Sequence, residues 1–373
     1  MSFYPICAEY SAAPLEEQLA AVTEEDVRRA IGASKPNSDD FLALMSPAAA
    51  PFLEEMAEKA SQLTLQHFGR TIQLFTPLYL SNFCTNHCVY CGFNAKNHIP
   101  RSQLELSEVE AEAKAIAATG LKHLLILTGE APSKASPEYL EECMGVLREH
   151  FPSVSIEIYA MTEEQYRRLV LAGVDGLTLF QETYDEELYA KLHPKGPKKD
   201  YRFRLDAPER GCRAGMRVVT IGALLGLGDW RRDALITGMH AAYLMDKYPE
   251  VDIAMSPPRM RPHAGSWEPK SIASDRDMVQ LMLAFRLFLP RLGITVSTRE
   301  TPEFRENLLP LGVTKMSAGV STAVGGHAQD DDDNVGQFDI ADGRSVEEMC
   351  AMLKAHGYQP VFKDWEFLGK GAA

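Results

Sequence analysis

The chain has 373 residues, of which 45% are apolar and 24% charged, and its formal net charge is -14. This is the composition of a folded globular protein rather than a disordered one, and the acidic excess excludes the clustered basic charge that drives general affinity for nucleic acid or anionic membranes. No apolar run approaches the ~18 residues needed to span a bilayer, no basic stretch followed by an apolar one opens the chain, and its seven cysteines are odd in number, so a reducing, cytoplasmic setting is expected.

Residues 1–70 read as polar-faced helices at 14–21, 24–32 with Thr23 as N-cap, and 48–68 after Ser46-Pro47. From Thr71 the texture changes to short β-rich runs that alternate with amphipathic stretches, the pattern of repeated βα units around a parallel sheet. Strands are predicted at 74–80, 123–127, 155–159, 176–180, 217–223, 252–255, 293–297 and 313–316, with helices at 108–119, 137–150, 163–172 and 276–289 among the connections. Eight such strands permit a closed (βα)8 barrel of the TIM type. The expected organisation is an N-terminal helical extension (1–70), the barrel (71–325) and a short C-terminal extension (326–373) that packs on it through one helix and an extended run at 359–365. The acidic run Asp330 to Asp333 reads as a solvated loop.

Chemistry concentrates directly after the first predicted strand. Cys84, Cys88 and Cys91 stand in the run Cys-Thr-Asn-His-Cys-Val-Tyr-Cys-Gly-Phe. A fully protein-ligated iron–sulfur cube takes four thiolates, so three on one loop suggest a cube with an iron left open for another ligand. The competing reading is a zinc-stabilised binding module, but zinc sites usually pair Cys-x2-Cys with a second pair a dozen or more residues on, and none follows. Cys7, Cys143, Cys212 and Cys350 are scattered, as buried small hydrophobes are.

In a βα barrel, function gathers at the carboxyl ends of the strands, and several polar residues fall there. Thr128-Gly129-Glu130 ends the second strand, where a glycine lets a ligand approach the backbone. Glu182 follows the fourth strand and Arg204 precedes a helix, an acid and a base suited to an amino acid's ammonium and carboxylate, or to a plain salt bridge. Arg299 closes the seventh strand and can grip a carboxylate by two parallel hydrogen bonds; Arg259 and Arg261 compete for that role. Ser317 lies past the eighth strand, and Tyr79 points either into the barrel or into the core.

The cysteine spacing, with an aromatic just before the last cysteine, resembles the signature of the radical S-adenosylmethionine (SAM) enzymes. Ser46-Pro47-Ala48-Ala49, Pro77-Leu78-Tyr79-Leu80-Ser81-Asn82, Tyr90-Cys91-Gly92-Phe93, His123 to Glu130, Gln181-Glu182-Thr183-Tyr184, Arg259-Met260-Arg261-Pro262, Ser297-Thr298-Arg299-Glu300 and Lys363-Asp364-Trp365 extend the likeness. Together they resemble the radical SAM aromatic amino-acid lyases, most of all the tyrosine lyase branch of thiamine biosynthesis. That resemblance implies a [4Fe-4S] cluster held by Cys84, Cys88 and Cys91, SAM contacted by Glu130, Glu182 and Arg204, and L-tyrosine held by Tyr79, Asn86, Arg299 and Ser317. It implies cleavage of the tyrosine Cα–Cβ bond to p-cresol and 2-iminoacetate (dehydroglycine), a flavodoxin- or ferredoxin-type electron donor, and thiazole synthase as protein partner. Only Cys350 lies beyond Cys212, so the second cluster of the hydrogenase-maturation tyrosine lyase is not expected. Tryptophan, the substrate of a further relative, is the alternative that motifs alone leave open.

Overall fold

The computed structural model describes residues 2–264, 267–269, 271–328 and 336–363. The run Asp330 to Asp333 and the pair Asp364-Trp365 lie outside the described residues. Strands β1 (Thr71–Ser81), β2 (His123–Thr128), β3 (Ser153–Glu157), β4 (Gly176–Glu182), β5 (Val218–Ala223), β6 (Asp252–Met255), β7 (Gly293–Val296) and β8 (Lys315–Ser317) are all parallel, each paired with the next. β1 also pairs with β8, which closes the barrel. A further strand, β9 (Gln359–Val361), adds to the first three residues of β1 before β2 begins its own pairing at Thr76.

The strand ends differ from those read in the sequence, and distant partners explain it. β1 starts at Thr71 rather than 74 because β9, nearly three hundred residues away in the chain, supplies hydrogen-bond partners there. β3 spans Ser153–Glu157 rather than 155–159; Ile158 and Tyr159 stay buried beyond the strand, with the Tyr159 hydroxyl donating to the Ala135 carbonyl at 2.7 Å. The extended tail forms only the short β9. The expected helix at 48–68 begins instead as a 3-10 turn, Pro47–Phe52, because Pro51 offers no N–H to an α-helical ladder, and becomes α-helical over Leu53–Phe68.

Helix starts are set locally. Thr23 with Asp26, Asn37 with Asp40, Thr162 with Gln165, Ser274 with Asp277 and Ser345 with Glu348 each form a reciprocal capping box, satisfying two amide groups that a helix end otherwise leaves unpaired. Two N-terminal helices were not expected from the sequence, Tyr4–Ala12 and Ser38–Met45. The second packs on the barrel helices Trp230–Lys247 and Asp275–Phe288, with the Phe41 ring stacked on Phe288 at 4.5 Å. A Cβ at Gly238 would stand 2.2 Å from that Phe41 ring, so the close approach requires glycine. The main core lies between the sheet and its shell of helices, which leaves the barrel interior and mouth to carry polar groups. No described helix is long and apolar enough to cross a membrane.

Candidate active site

β1 delivers the chain to the mouth of the barrel, where residues 82–91 run without regular structure and carry the three cysteines. Arg101 fastens this loop: its guanidinium donates to the carbonyls of Asn82 at 2.7 Å, Phe93 at 3.0 Å and Asn94 at 2.7 Å. Backbone bonds tie His87 to Lys195 and Val89 to Leu192. Cys84, Cys88 and Cys91 form no disulfide and all line one cavity of about 610 Å³. Burial pushes the Cys88 thiol up to about 12 and raises Cys91 as well. Gln337 donates its amide to the Cys91 sulfur at 3.7 Å and accepts from the Tyr79 hydroxyl at 2.8 Å.

Polar residues converge on the same cavity from successive strand ends. Glu130 accepts from the Asn86 amide at 2.6 Å. A Cβ at Gly129 would lie 2.3 Å from the Phe83 carbonyl oxygen, so glycine lets the loops after β1 and β2 touch. Glu182 ends β4 at a bulge and has φ +74°, the one left-handed non-glycine conformation among the described residues. That turn presents its carboxylate to Lys198 at 2.7 Å and Arg204 at 3.3 Å. Burial alone would raise its pKa, but the two cations outweigh it and hold the group below the ordinary range. Arg204 also donates from Nε to the Phe180 carbonyl at 2.8 Å.

Beneath lies a second cavity of about 840 Å³ in the barrel itself, lined at its upper end by Tyr79, Glu157, Arg299, Ser317 and Phe338. The two cavities share Glu157, Thr178 and Phe180 as lining residues. The Arg299 guanidinium rests 3.5 Å from the centre of the Phe338 ring. Its rivals are engaged elsewhere, Arg259 by Glu300 and Asp275, and Arg261 by Glu300 at 3.3 Å. Ser317 accepts from the Thr298 amide at 3.1 Å. Asn86, grouped in the sequence reading with the substrate residues, lines the cysteine cavity and not this one.

Lys198, Gln337, Glu157 and Phe338 were not singled out in the sequence. Lys198 lies in a lysine-rich loop, where a solvated charge is the default reading. Gln337 sits in a stretch without pattern. Glu157 ends β3, but the strand expected at 155–159 placed it in the middle of a strand rather than at the barrel mouth. Burial, the largest influence on it, raises its pKa to about 7 against the opposing pull of Arg299.

Comparison with known proteins follows this geometry closely. The radical SAM superfamily profile matches residues 78–236, and that of the biotin and thiamin synthesis associated domain matches residues 256–359. The chain is 42% identical over 352 residues to the 2-iminoacetate synthase of Escherichia coli K12, covering 94% of this chain and 93% of that protein.

The chain belongs to the radical SAM 2-iminoacetate synthase family.

The crystal structure of the FeFe-hydrogenase maturase HydG from Carboxydothermus hydrogenoformans superposes with a TM-score of 0.83 at 31% identity, over 96% of this chain and 82% of that one. Methylornithine synthase, at a TM-score of 0.72 and 21% identity over 90% of this chain and 97% of that one, shares the fold. This radical SAM enzyme accordingly uses a [4Fe-4S] cluster and SAM, and the zinc-module reading is set aside. The residues fit that pair: three uncrosslinked thiols, a carboxylate on an amide, and a carboxylate between two cations surround one cavity. Among the described residues no three His, Cys, Asp or Glu side chains converge as around a single ion. A cube takes each thiolate on a different iron, so it makes no such demand.

Proposed function

We propose that the protein cleaves the Cα–Cβ bond of L-tyrosine, giving p-cresol and 2-iminoacetate for thiazole formation in thiamine biosynthesis. The observation that carries this reading is the pair of adjoining cavities: the cysteine cavity meets, at Glu157, a barrel cavity lined by an arginine suited to a carboxylate. Cys84, Cys88 and Cys91 are assigned to the cluster, and Asn86, Glu130, Glu182, Lys198 and Arg204 to SAM and its surroundings. The chemistry supplied by the bound cluster and SAM is generation of a 5'-deoxyadenosyl radical that accepts a hydrogen atom.

The chain's own residues orient the substrate for that transfer. Arg299 binds the tyrosine carboxylate, with its guanidinium packed against the Phe338 ring. Ser317 and Tyr79 flank it. Burial raises the Tyr79 pKa far above the ordinary phenol range, so this hydroxyl stays protonated and remains a donor. Hydrogen abstraction from nitrogen favours the neutral amine, and the extra ammonium proton needs a nearby acceptor. Glu157, poised near neutrality at the junction of the cavities, receives it.

A flavodoxin- or ferredoxin-type protein is the assigned electron donor. Thiazole synthase is the assigned acceptor of 2-iminoacetate, which water destroys. The cytoplasm is the assigned compartment, in keeping with seven free cysteines. Anaerobically reconstituted protein given dithionite, SAM and tyrosine should release p-cresol with 5'-deoxyadenosine. Formation of 5'-deoxyadenosine with tryptophan but not with tyrosine would transfer the assignment to tryptophan cleavage.

A further inference from the structure

The barrel cavity continues below Arg299 along the inward-facing strand residues. Apolar side chains, among them Pro77, Leu125, Leu127 and Val218, wall it. Polar groups join them near the strand starts. Lys315 precedes Ser317 by two residues on β8, and Ser155 precedes Glu157 by two on β3; both line the cavity. Two residues along a parallel strand span about 6.6 Å, close to the length of a tyrosine side chain.

His123, the first residue of β2, joins Lys315 and Ser155. Its Nε2 is 3.0 Å from the Ser155 hydroxyl, its Nδ1 is 3.1 Å from the Gln73 side-chain nitrogen, and the Lys315 ammonium is 3.3 Å from both ring nitrogens. Burial, then Lys315 and Arg217, hold the His123 pKa well below its ordinary value, so the ring is neutral. A neutral imidazole has one donor and one acceptor. With the Gln73 amide donating to Nδ1, the ring proton sits on Nε2 and goes to Ser155, which leaves the serine's own proton to be offered to an oxygen in the cavity. Lys315, whose ammonium also lies 4.9 Å from the Phe75 ring centre, is a donor and never an acceptor.

We infer that Ser155 and Lys315, aligned by His123, form the receptor for the substrate's phenol oxygen and are the residues that select tyrosine. The inference rests on the lyase reading and adds the basis of its specificity. A phenol oxygen accepts from both groups. The indole of tryptophan presents only an N–H donor to the Lys315 ammonium, and phenylalanine presents nothing, so neither accepts the proton that the Ser155 hydroxyl offers. A site built to hydrogen-bond a substrate hydroxyl discriminates strongly against analogues that lack it.

The test is equilibrium binding of tyrosine, phenylalanine and tryptophan to the anaerobically reconstituted holoenzyme with SAM, alongside p-cresol release. Wild type is expected to prefer tyrosine to phenylalanine by about tenfold or more. Ser155→Ala and Lys315→Met should each lose about tenfold in tyrosine affinity with phenylalanine affinity unchanged, while Lys315→Arg should recover part of the loss. Iron content and SAM affinity check that each variant is intact. Should Lys315→Met fail to fold, Ser155→Ala and Lys315→Arg carry the measurement. An unaltered tyrosine-to-phenylalanine ratio in the folded variants, or no preference in wild type, overturns the receptor assignment. Wild type that binds tyrosine selectively but releases no p-cresol overturns the lyase reading instead.

Discussion

Cys88 is the buried member of the three thiols, whereas Cys84 and Cys91 are half-buried. Replacing it by alanine removes a thiol assigned to the cluster that no other described cysteine can supply, because Cys7, Cys143, Cys212 and Cys350 do not line this cavity. Reconstituted Cys88→Ala should therefore show depleted iron and sulfide with p-cresol release abolished, and Cys350→Ala should retain both; iron analysis beside turnover decides it. Glu157 makes a different prediction. With its pKa raised to about 7, the carboxylate needed to take the ammonium proton is present only above that pH, so turnover should rise through about 7 and Glu157→Gln should abolish that limb. The linkage to stability has the opposite sense. A carboxyl whose folded pKa is raised stabilises the fold at low pH and loses that contribution as pH rises through the folded value, so Glu157→Gln should raise the Tm of the unliganded protein at neutral pH. The cysteines and Arg299 could be singled out in the sequence by their spacing or by their place after a strand, and the structure puts the former in one cavity and the latter in the other. Lys198 could not be, since only the three-dimensional return of its loop brings it to Glu182.

The bulge that ends β4 shows what an element contributes beyond its residues. Between Phe180 and Glu182 the register with β5 shifts, and Glu182 takes φ +74°, a conformation that costs a side-chain-bearing residue on the order of 1–3 kcal/mol. The kink turns a carboxylate that would continue the strand's alternation towards Lys198 and Arg204. Glu182→Gln removes the charge and leaves two cations facing each other in a buried site. Its expected signature is near-normal iron content with SAM affinity weakened tenfold or more, by about 1.4 kcal/mol or above, measured by anaerobic titration. Retained SAM affinity would refute the assignment of this carboxylate. Apolar runs revealed all eight barrel strands, yet neither this bulge nor the strand ends. Pairing partners decide those, and Ile158-Tyr159 continues the apolar pattern after its pairing has stopped.

Across the whole molecule, residues 336–342 lie over the barrel mouth: Gln337 meets Cys91 and Tyr79, Phe338 supports Arg299, and the Ala341 amide donates to the Thr298 carbonyl at 2.8 Å. Asp342 anchors this segment through a fully buried ion pair with Arg305 and a second with Arg344 at 2.7 Å. Breaking a buried pair from one side typically costs about 3–5 kcal/mol, so Asp342→Asn should lower urea stability by an amount of that order and weaken tyrosine binding through Phe338 and Arg299. The arginines hold the Asp342 pKa down against its burial. This contribution should therefore be present at neutral pH and be lost as the pH falls below the ordinary carboxylate range. The sequence reading placed a C-terminal extension on the barrel but gave no register for it, because β9 and the mouth segment are defined by contacts with β1 and with the loop after β7 rather than by local pattern. Their position also orders events during synthesis. The cysteine loop leaves the ribosome well before the residues that roof it, Gln337 following Cys91 by 246 positions, and before the strand that completes the edge of β1. A nascent chain therefore exposes its three thiols to solvent while the whole barrel is being synthesised, and the site becomes enclosed only after the segment around Gln337 has followed.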